Sequence, residues 1–218
     1  MLPDDGLVRE QIDYYKRRAT EYDATSTPVG DALEWQGLRL EEALRDFRPE
    51  GRVLEVACGT GTWTRRLIQY ADELTALDSS AEMIQLARAK IGDAEVQFVE
   101  ADVFSWHPKQ TYDVVFFANW LSHVPSNRFE AFWSLVRGCL SDRGRVFFAD
   151  ESRDAWRKEE FLQGDVIIRR LGDGSTHRVI KIFWEPSELQ ERLRTMEWEA
   201  RVESTGDFIW GECTMPVG

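Results

Sequence analysis

The stretch Val53–Thr64, VLEVACGTGTWT, most limits what this chain can fold into. A short apolar run stops at a glycine-rich turn and passes into a helical pattern, so the segment reads as strand, tight turn, helix. Gly59 and Gly61 permit a sharp turn and the close approach of a ligand, because a side chain at either place would fill the space a cofactor needs. The free amide groups at the start of the next helix favour a carboxylate, a hydroxyl or a phosphate. A glycine turn alone says little, and Asp78 sharpens it. This acid ends the next apolar run, LTALD, nineteen residues after Gly59, about where a ribose-binding acid stands in a nucleotide-binding α/β unit. Together they specify an adenosine-type ligand.

The third glycine of the dinucleotide fingerprint is absent, since Thr64 stands five residues after Gly59. That weakens a pyrophosphate reading. Glu55, inside the strand, would oppose a pyrophosphate but suits a ligand that carries an ammonium and a sulfonium. The pattern acid-x-x-x-Gly-x-Gly resembles the first motif of class I S-adenosylmethionine-dependent methyltransferases. The resemblance implies that Glu55, Cys58, Gly59, Thr60, Gly61, Asp78 and Ser79 bind the cofactor, with Asp78 as the ribose acid. It also implies an acid at the end of the third strand for the adenine amino group, matched by Asp102 with Val103. Ser79-Ser80-Ala81-Glu82 is a capping-box pattern, which puts Met83 in the first turn of a helix, within reach of an adenine face.

Composition bounds the reading. The 218 residues suit one α/β domain with a well-buried core. With 27 basic and 39 acidic residues the net charge is -12, which repels phosphate backbones, so no nucleic-acid partner is expected. No signal peptide and no membrane-spanning run is seen, which makes the expected location cytoplasmic, without a membrane partner. Cys58, Cys139 and Cys213 form no CxxC and read as buried thiols rather than a disulfide framework or a zinc site.

Along the chain, residues 5–22 read as a helix ending in YYKRRATEYD. It resembles the N-terminal segment that caps the cofactor in many small-molecule methyltransferases, with Tyr15 and Tyr22 favoured over Tyr14 as contacts. Such a cap is expected to open for exchange. A polar loop over 25–30 leads to a second helix reaching about Phe47. Next come a crossover helix from Trp63 to Ala71 and strands at 73–78 and 95–100. Tyr112–Ala118 is the most apolar run, as a central parallel strand should be. It ends in Asn119-Trp120-Leu121-Ser122-His123-Val124-Pro125, which should border cofactor and acceptor. This segment resembles the fourth methyltransferase motif without the Asn-Pro-Pro-Tyr form that goes with methylating base amines. Asp150 and Glu151, after a fifth strand at 144–149, stand where related catechol-type enzymes place metal ligands. No matching constellation is evident, and no metal is expected.

Residues 164–184 depart from the alternating pattern: VIIRRL, a Gly-Asp-Gly-Ser turn, then HRVIKIFW. They read as a β-hairpin placed to cover the acceptor pocket or to form a subunit contact. A helix from Pro186 and an antiparallel pair at 198–203 and 208–214 close the chain. The expected fold is therefore Rossmann-like: a seven-stranded, mostly parallel sheet with an antiparallel last strand and helices on both faces. One domain over 1–218 is divided into a helical cap (1–48), a cofactor-binding core (49–152), the hairpin insertion (153–185) and the closing elements (186–218). The expected reaction moves a methyl group from S-adenosylmethionine, leaving S-adenosylhomocysteine, to an oxygen or nitrogen of a small molecule. Nine tryptophans and twelve phenylalanines suggest an apolar or aromatic acceptor. His123 is the side chain expected to act on it, with an ordinary pKa of about 6.5. Homodimer formation stays open. The rivals are an NAD-dependent oxidoreductase, disfavoured by Thr64 and the lack of Tyr-x-x-x-Lys, and a catalytically silent binding protein of the same fold.

Overall fold

The computed structural model describes residues 5–26 and 31–216. The N-terminal segment forms α1 (Asp5–Arg18), a 3-10 turn (Ala19–Glu21), α2 (Tyr22–Ser26) and, further on, α3 (Asp31–Phe47). The expected polar loop is helical at Thr25 and Ser26, and its remainder, 27–30, lies outside the described residues. Next in order are β1 (Gly51–Val56), α4 (Thr64–Leu67), β2 (Ala71–Asp78), α5 (Ala81–Ile91), β3 (Gln97–Glu100), β4 (Tyr112–Ala118), α6 (Phe129–Cys139) and β5 (Leu140–Glu151). The chain continues through β6 (Phe161–Gln163), β7 (Val166–Arg170), β8 (Thr176–Ile180), α7 (Pro186–Thr195), β9 (Glu199–Thr205) and β10 (Phe208–Thr214).

Seven strands form one sheet in the order β3-β2-β1-β4-β5-β10-β9. The first five run parallel, and β10 runs antiparallel to both its neighbours. Strand order reverses between β1 and β4, which opens a crevice at their carboxyl ends. Both faces are covered, and period-2 alternation sorts the residues between them. Leu54, Val56, Val115, Phe117, Val146 and Phe148 meet α6 and α7, whereas Val53, Val114, Phe116 and Phe147 meet Leu40, Leu44 and Phe47 of α3. Register then stacks the rings: Phe116 pairs with Phe147 and Phe117 with Phe148, at centroid separations of 5.9 and 5.6 Å.

Three boundaries differ from the sequence reading. The crossover helix shrinks to α4, because β2 already begins at Ala71, paired with Gly51. β5 extends beyond 144–149 in both directions because Leu140 pairs with Tyr112 of β4 at its start and β10 pairs with it as far as Glu151. β6 joins the hairpin as a third, antiparallel strand; three residues carry too short a pattern to show in sequence. This small sheet packs on α1, where Tyr14 meets Ile167, Leu171 and Val179. Among the described residues no helix is long and apolar enough to cross a membrane.

Candidate active site

The carboxyl ends of β1, β2 and β4 open into a cavity. Its floor and walls are Gly59, Asp78, Ser79, Met83, Asp102, Val103, Asn119, Trp120 and His123, with Val56, Ala57, Leu77, Phe104, Ala118 and Pro125 between them. Val8, Gln11, Ile12, Tyr15 and Tyr22, from α1 and α2, complete the lining. Asp78 is presented by the backbone: Gly59 N donates to Oδ2 at 2.8 Å and Ser80 N to Oδ1 at 2.9 Å. Burial raises its pKa, and those two amides work against the rise. The helix cap is Ser80, whose Oγ accepts from Met83 N at 3.1 Å, so Ser79 is left for the cavity wall. Asp102 Oδ1 accepts from Phe104 N at 3.0 Å, so this acid caps its loop and lines the cavity as well. Asn119 holds a left-handed backbone, φ 52°, and the buried indole nitrogen of Trp120 has no protein partner.

The two glycines do different work. At Gly59, with φ +54°, an added Cβ meets nothing within 4 Å, so it would stand in the cavity. At Gly61, with φ +80°, the same atom would come within 3.0 Å of Ala87 Cβ and 3.1 Å of Ala87 Cα. Gly61 therefore lets the turn pack on α5, whereas the space in front of Gly59 is open. Glu55, Cys58, Thr60 and Gly61 stand behind the wall rather than in it. Glu55 is 2% exposed and accepts from Thr64 Oγ1 at 2.6 Å, so the residue at the missing third glycine serves as a donor to the acid. Burial, with Asp78 adding to it, pushes the Glu55 carboxyl up to about 8. Thr60 Oγ1 donates to Asp23 Oδ1 at 2.5 Å and accepts from Lys90 Nζ at 3.1 Å. Lys90 also pairs with Asp23 at 2.7 Å, which ties α2 to the glycine turn. Open space before Gly59, a backbone-held acid at ribose depth and buried acids suited to a cation together fit S-adenosylmethionine. Asp78→Ala should weaken binding of S-adenosylhomocysteine by roughly 1–3 kcal/mol, the loss of a charged acceptor; unchanged affinity in calorimetry of a folded variant would refute the assignment.

A second chamber adjoins the first and shares Tyr15, Tyr22, Ala118, Asn119 and His123 with it. His123 is buried at this junction. Its Nδ1 lies 2.7 Å from Ile180 O and its Nε2 2.9 Å from the Tyr15 hydroxyl. A carbonyl only accepts, so Nδ1 carries the hydrogen and Tyr15 donates to Nε2. Burial first, then the Lys181 ammonium, hold the imidazole well below its ordinary pKa. His123 thus stands where the sequence put it, but both ring nitrogens are engaged and a proton is disfavoured there. Gln11, buried on α1, was missed: its Nε2 donates to His123 O at 3.2 Å and its Oε1 accepts from Ile180 N at 3.0 Å. A lone amide on the apolar stripe between Leu7 and Tyr15 was the available signal. Lys181 was missed too. It donates to Ser122 Oγ at 3.0 Å and pairs with Glu151, while Asp150 accepts from Ser122 N at 2.9 Å. The two acids, which the structure places at the end of β5 rather than after it, are thereby engaged with the segments that frame the second chamber.

A methyltransferase-domain family model matches residues 53–144. The ubiquinone biosynthesis O-methyltransferase of Xanthomonas campestris pv. campestris (strain B100) is 31% identical over 164 residues, which make up 71% of this chain and 65% of that relative. The chain therefore spans less than two thirds of that relative's length. Two solved structures align over nearly the whole chain. The DhpI-SAM-HEP complex is 41% identical with a TM-score of 0.86, covering 96% of this chain and 98% of that one. The DhpI-SAH complex is 40% identical with a TM-score of 0.83, covering 97% and 98%. With the glycine turn, the ribose-depth acid and the reversed strand order in place, this chain belongs to the class I S-adenosylmethionine-dependent methyltransferases.

Proposed function

We propose that this protein transfers the methyl group of S-adenosylmethionine to an oxygen of a small acid anion held in the second chamber. The donor groups of that chamber carry the reading. It gathers Arg18, Arg66, Arg169, Arg170 and Lys181 against Glu21, Glu41, Glu151 and Asp207, with Arg66 paired to Glu41, Lys181 to Glu151 and Arg169 to Glu159. Guanidinium and ammonium N–H groups lining a chamber suit an acceptor that offers oxygen atoms, which favours oxygen over nitrogen as the nucleophile. The O-methyltransferase names of the curated relatives agree with that choice. The DhpI-SAM-HEP complex pairs SAM with a second ligand, and the two adjoining chambers are read the same way here. The aromatic count had pointed to an apolar acceptor, but Phe116, Phe117, Phe129, Phe132, Trp133, Phe147, Phe148 and Trp198 are spent in the core.

The bound cofactor supplies an electrophilic methyl carbon, and the acceptor oxygen displaces sulfur from it, giving a methyl ester and S-adenosylhomocysteine. The chain's part is alignment: Tyr15 and His123 sit in the wall common to both chambers, and fixing two reactants there removes much of the barrier. An ionised acid needs no base, which accords with a neutral, fully bonded His123 whose task is to hold the Tyr15 hydroxyl. Small carboxylates, phosphonates and phosphate esters should release S-adenosylhomocysteine in a turnover panel, while amines should not. Turnover confined to neutral phenols would overturn the acid-anion reading. His123→Ala should lower turnover about 10-fold, the order of one lost hydrogen bond, with the shape of the pH profile kept. A fall of roughly 100-fold or more with loss of an inflection would mark His123 as a general base.

A further inference from the structure

Gln11 and Tyr15 stand one turn apart on α1, so both side chains reach the same neighbour, and that neighbour is His123. Gln11 Nε2 donates to the His123 carbonyl at 3.2 Å, and the Tyr15 hydroxyl lies 2.9 Å from His123 Nε2. The other ring nitrogen, Nδ1, lies 2.7 Å from Ile180 O, and Ile180 N donates back to Gln11 Oε1 at 3.0 Å. These contacts close a ring through Gln11, His123 and Ile180, and Tyr15 hangs on it. Farther along, Ile182 N donates straight to Ser122 O at 2.8 Å; between Ile180 and His123 the two main chains are joined through the Gln11 amide instead. All three residues are buried, so the main-chain groups that the amide serves have no solvent to turn to. A carbonyl only accepts and a main-chain amide only donates, which fixes the orientation of the Gln11 amide as well as the hydrogen on Nδ1.

We propose that Gln11 is a positioning residue for methyl transfer: by bridging the His123 carbonyl and the Ile180 amide it keeps Ile180 O on Nδ1, locks the Nδ1–H tautomer and so points the Tyr15 hydrogen at Nε2. Tyr15 lines both chambers, and with its hydrogen committed its oxygen offers only lone pairs to their junction. A ring whose Nδ1 is not held takes up both tautomers, since the bond made by one nitrogen sets the hydrogen on the other. The purpose assigned to the bridge rests on the methyl-transfer reading above, whereas the tautomer lock is testable without a cofactor.

Nitrogen-15 labelling of the histidines in the full chain reads the tautomer from the ring shifts, and His123 is recognised among the three histidines as the signal lost in His123→Ala. The wild-type ring should be Nδ1–H at neutral pH, and an Nε2–H ring would overturn the proposal at once. Gln11→Met keeps the length of the side chain and removes the bridge, so roughly half or more of the His123 population should become Nε2–H. Glu10→Ala is the control. It removes a neighbouring contact between α1 and β8, in which Glu10 accepts from Arg178 N at 2.6 Å and pairs with its guanidinium, and should leave the tautomer as in the wild type. An unchanged tautomer in Gln11→Met would refute the proposal, and so would an equal change in Glu10→Ala, which would reduce Gln11 to docking the helix. If Gln11→Met fails to fold, Gln11→Glu takes its place: a carboxylate still accepts from Ile180 N but cannot donate to His123 O, and the same conversion is expected. Failure of the wild type to bind S-adenosylhomocysteine would sink the methyl-transfer reading, and with it the purpose of the bridge, without altering what the ring shifts say of the lock.

Discussion

Gly59→Val is expected to abolish cofactor binding while leaving the fold in place. The position has φ +54° and faces open space, and that space is the cavity beyond β1 and β2. A valine side chain there would occupy the volume in which the ligand must lie, next to the Asp78 carboxylate that the Gly59 amide holds. A β-branched residue in the left-handed region adds strain of roughly 1–3 kcal/mol, less than most domains of this size have in reserve. Affinity for S-adenosylhomocysteine should fall by at least about 100-fold, with a cooperative melt retained. Tight binding by a folded Gly59→Val protein would remove the assignment of this turn. The matching change at Gly61 should act differently: Ala87 lies 3.0 Å from the added Cβ, so the damage should appear as lost stability.

Lys181→Met is expected to be among the most destabilising single changes. The lysine side chain is 3% exposed, and its partner Glu151 is 33% exposed. Beside them Asp150 is 1% exposed and relies on Lys181 as the cation opposing its desolvation. Removing one partner of a buried pair leaves the other charge uncompensated, at a cost of about 3–5 kcal/mol. For a chain of this size that corresponds to a fall in Tm of roughly 6–20 °C. The sign of the pH dependence follows. Without Lys181 the carboxyl of Asp150 titrates still higher in the folded state than in the unfolded chain. The folded variant then binds protons more tightly and loses stability as pH rises above about 4. The deficit against wild type should therefore be smallest in acid and grow toward neutrality. A deficit below about 1 kcal/mol at every pH would reduce the clamp to the value of a surface pair.

The sequence by itself determined the contiguous features. The strand, glycine turn and ribose-depth acid lie within one short stretch, and so do the hairpin and its Gly-Asp-Gly-Ser turn. Alternation of apolar runs with helical patterns was enough to place the seven strands of the main sheet, because each run reports its own burial. Tertiary structure alone decided what faces what. Gly61 serves α5 because Ala87 packs against it, and Gln11 reads as one more helix polar residue until Ile180 and His123 come to meet it. The second chamber was the least legible part. Arg18, Arg169, Arg170 and Lys181 arrive from α1, β7 and the residue after β8, and each alone is indistinguishable from a solvated surface charge. Local pattern reports whether a side chain is buried, whereas packing of distant segments sets which charges share a cavity. The gathering of those charges and the neutral state of His123 are therefore properties of the assembled fold.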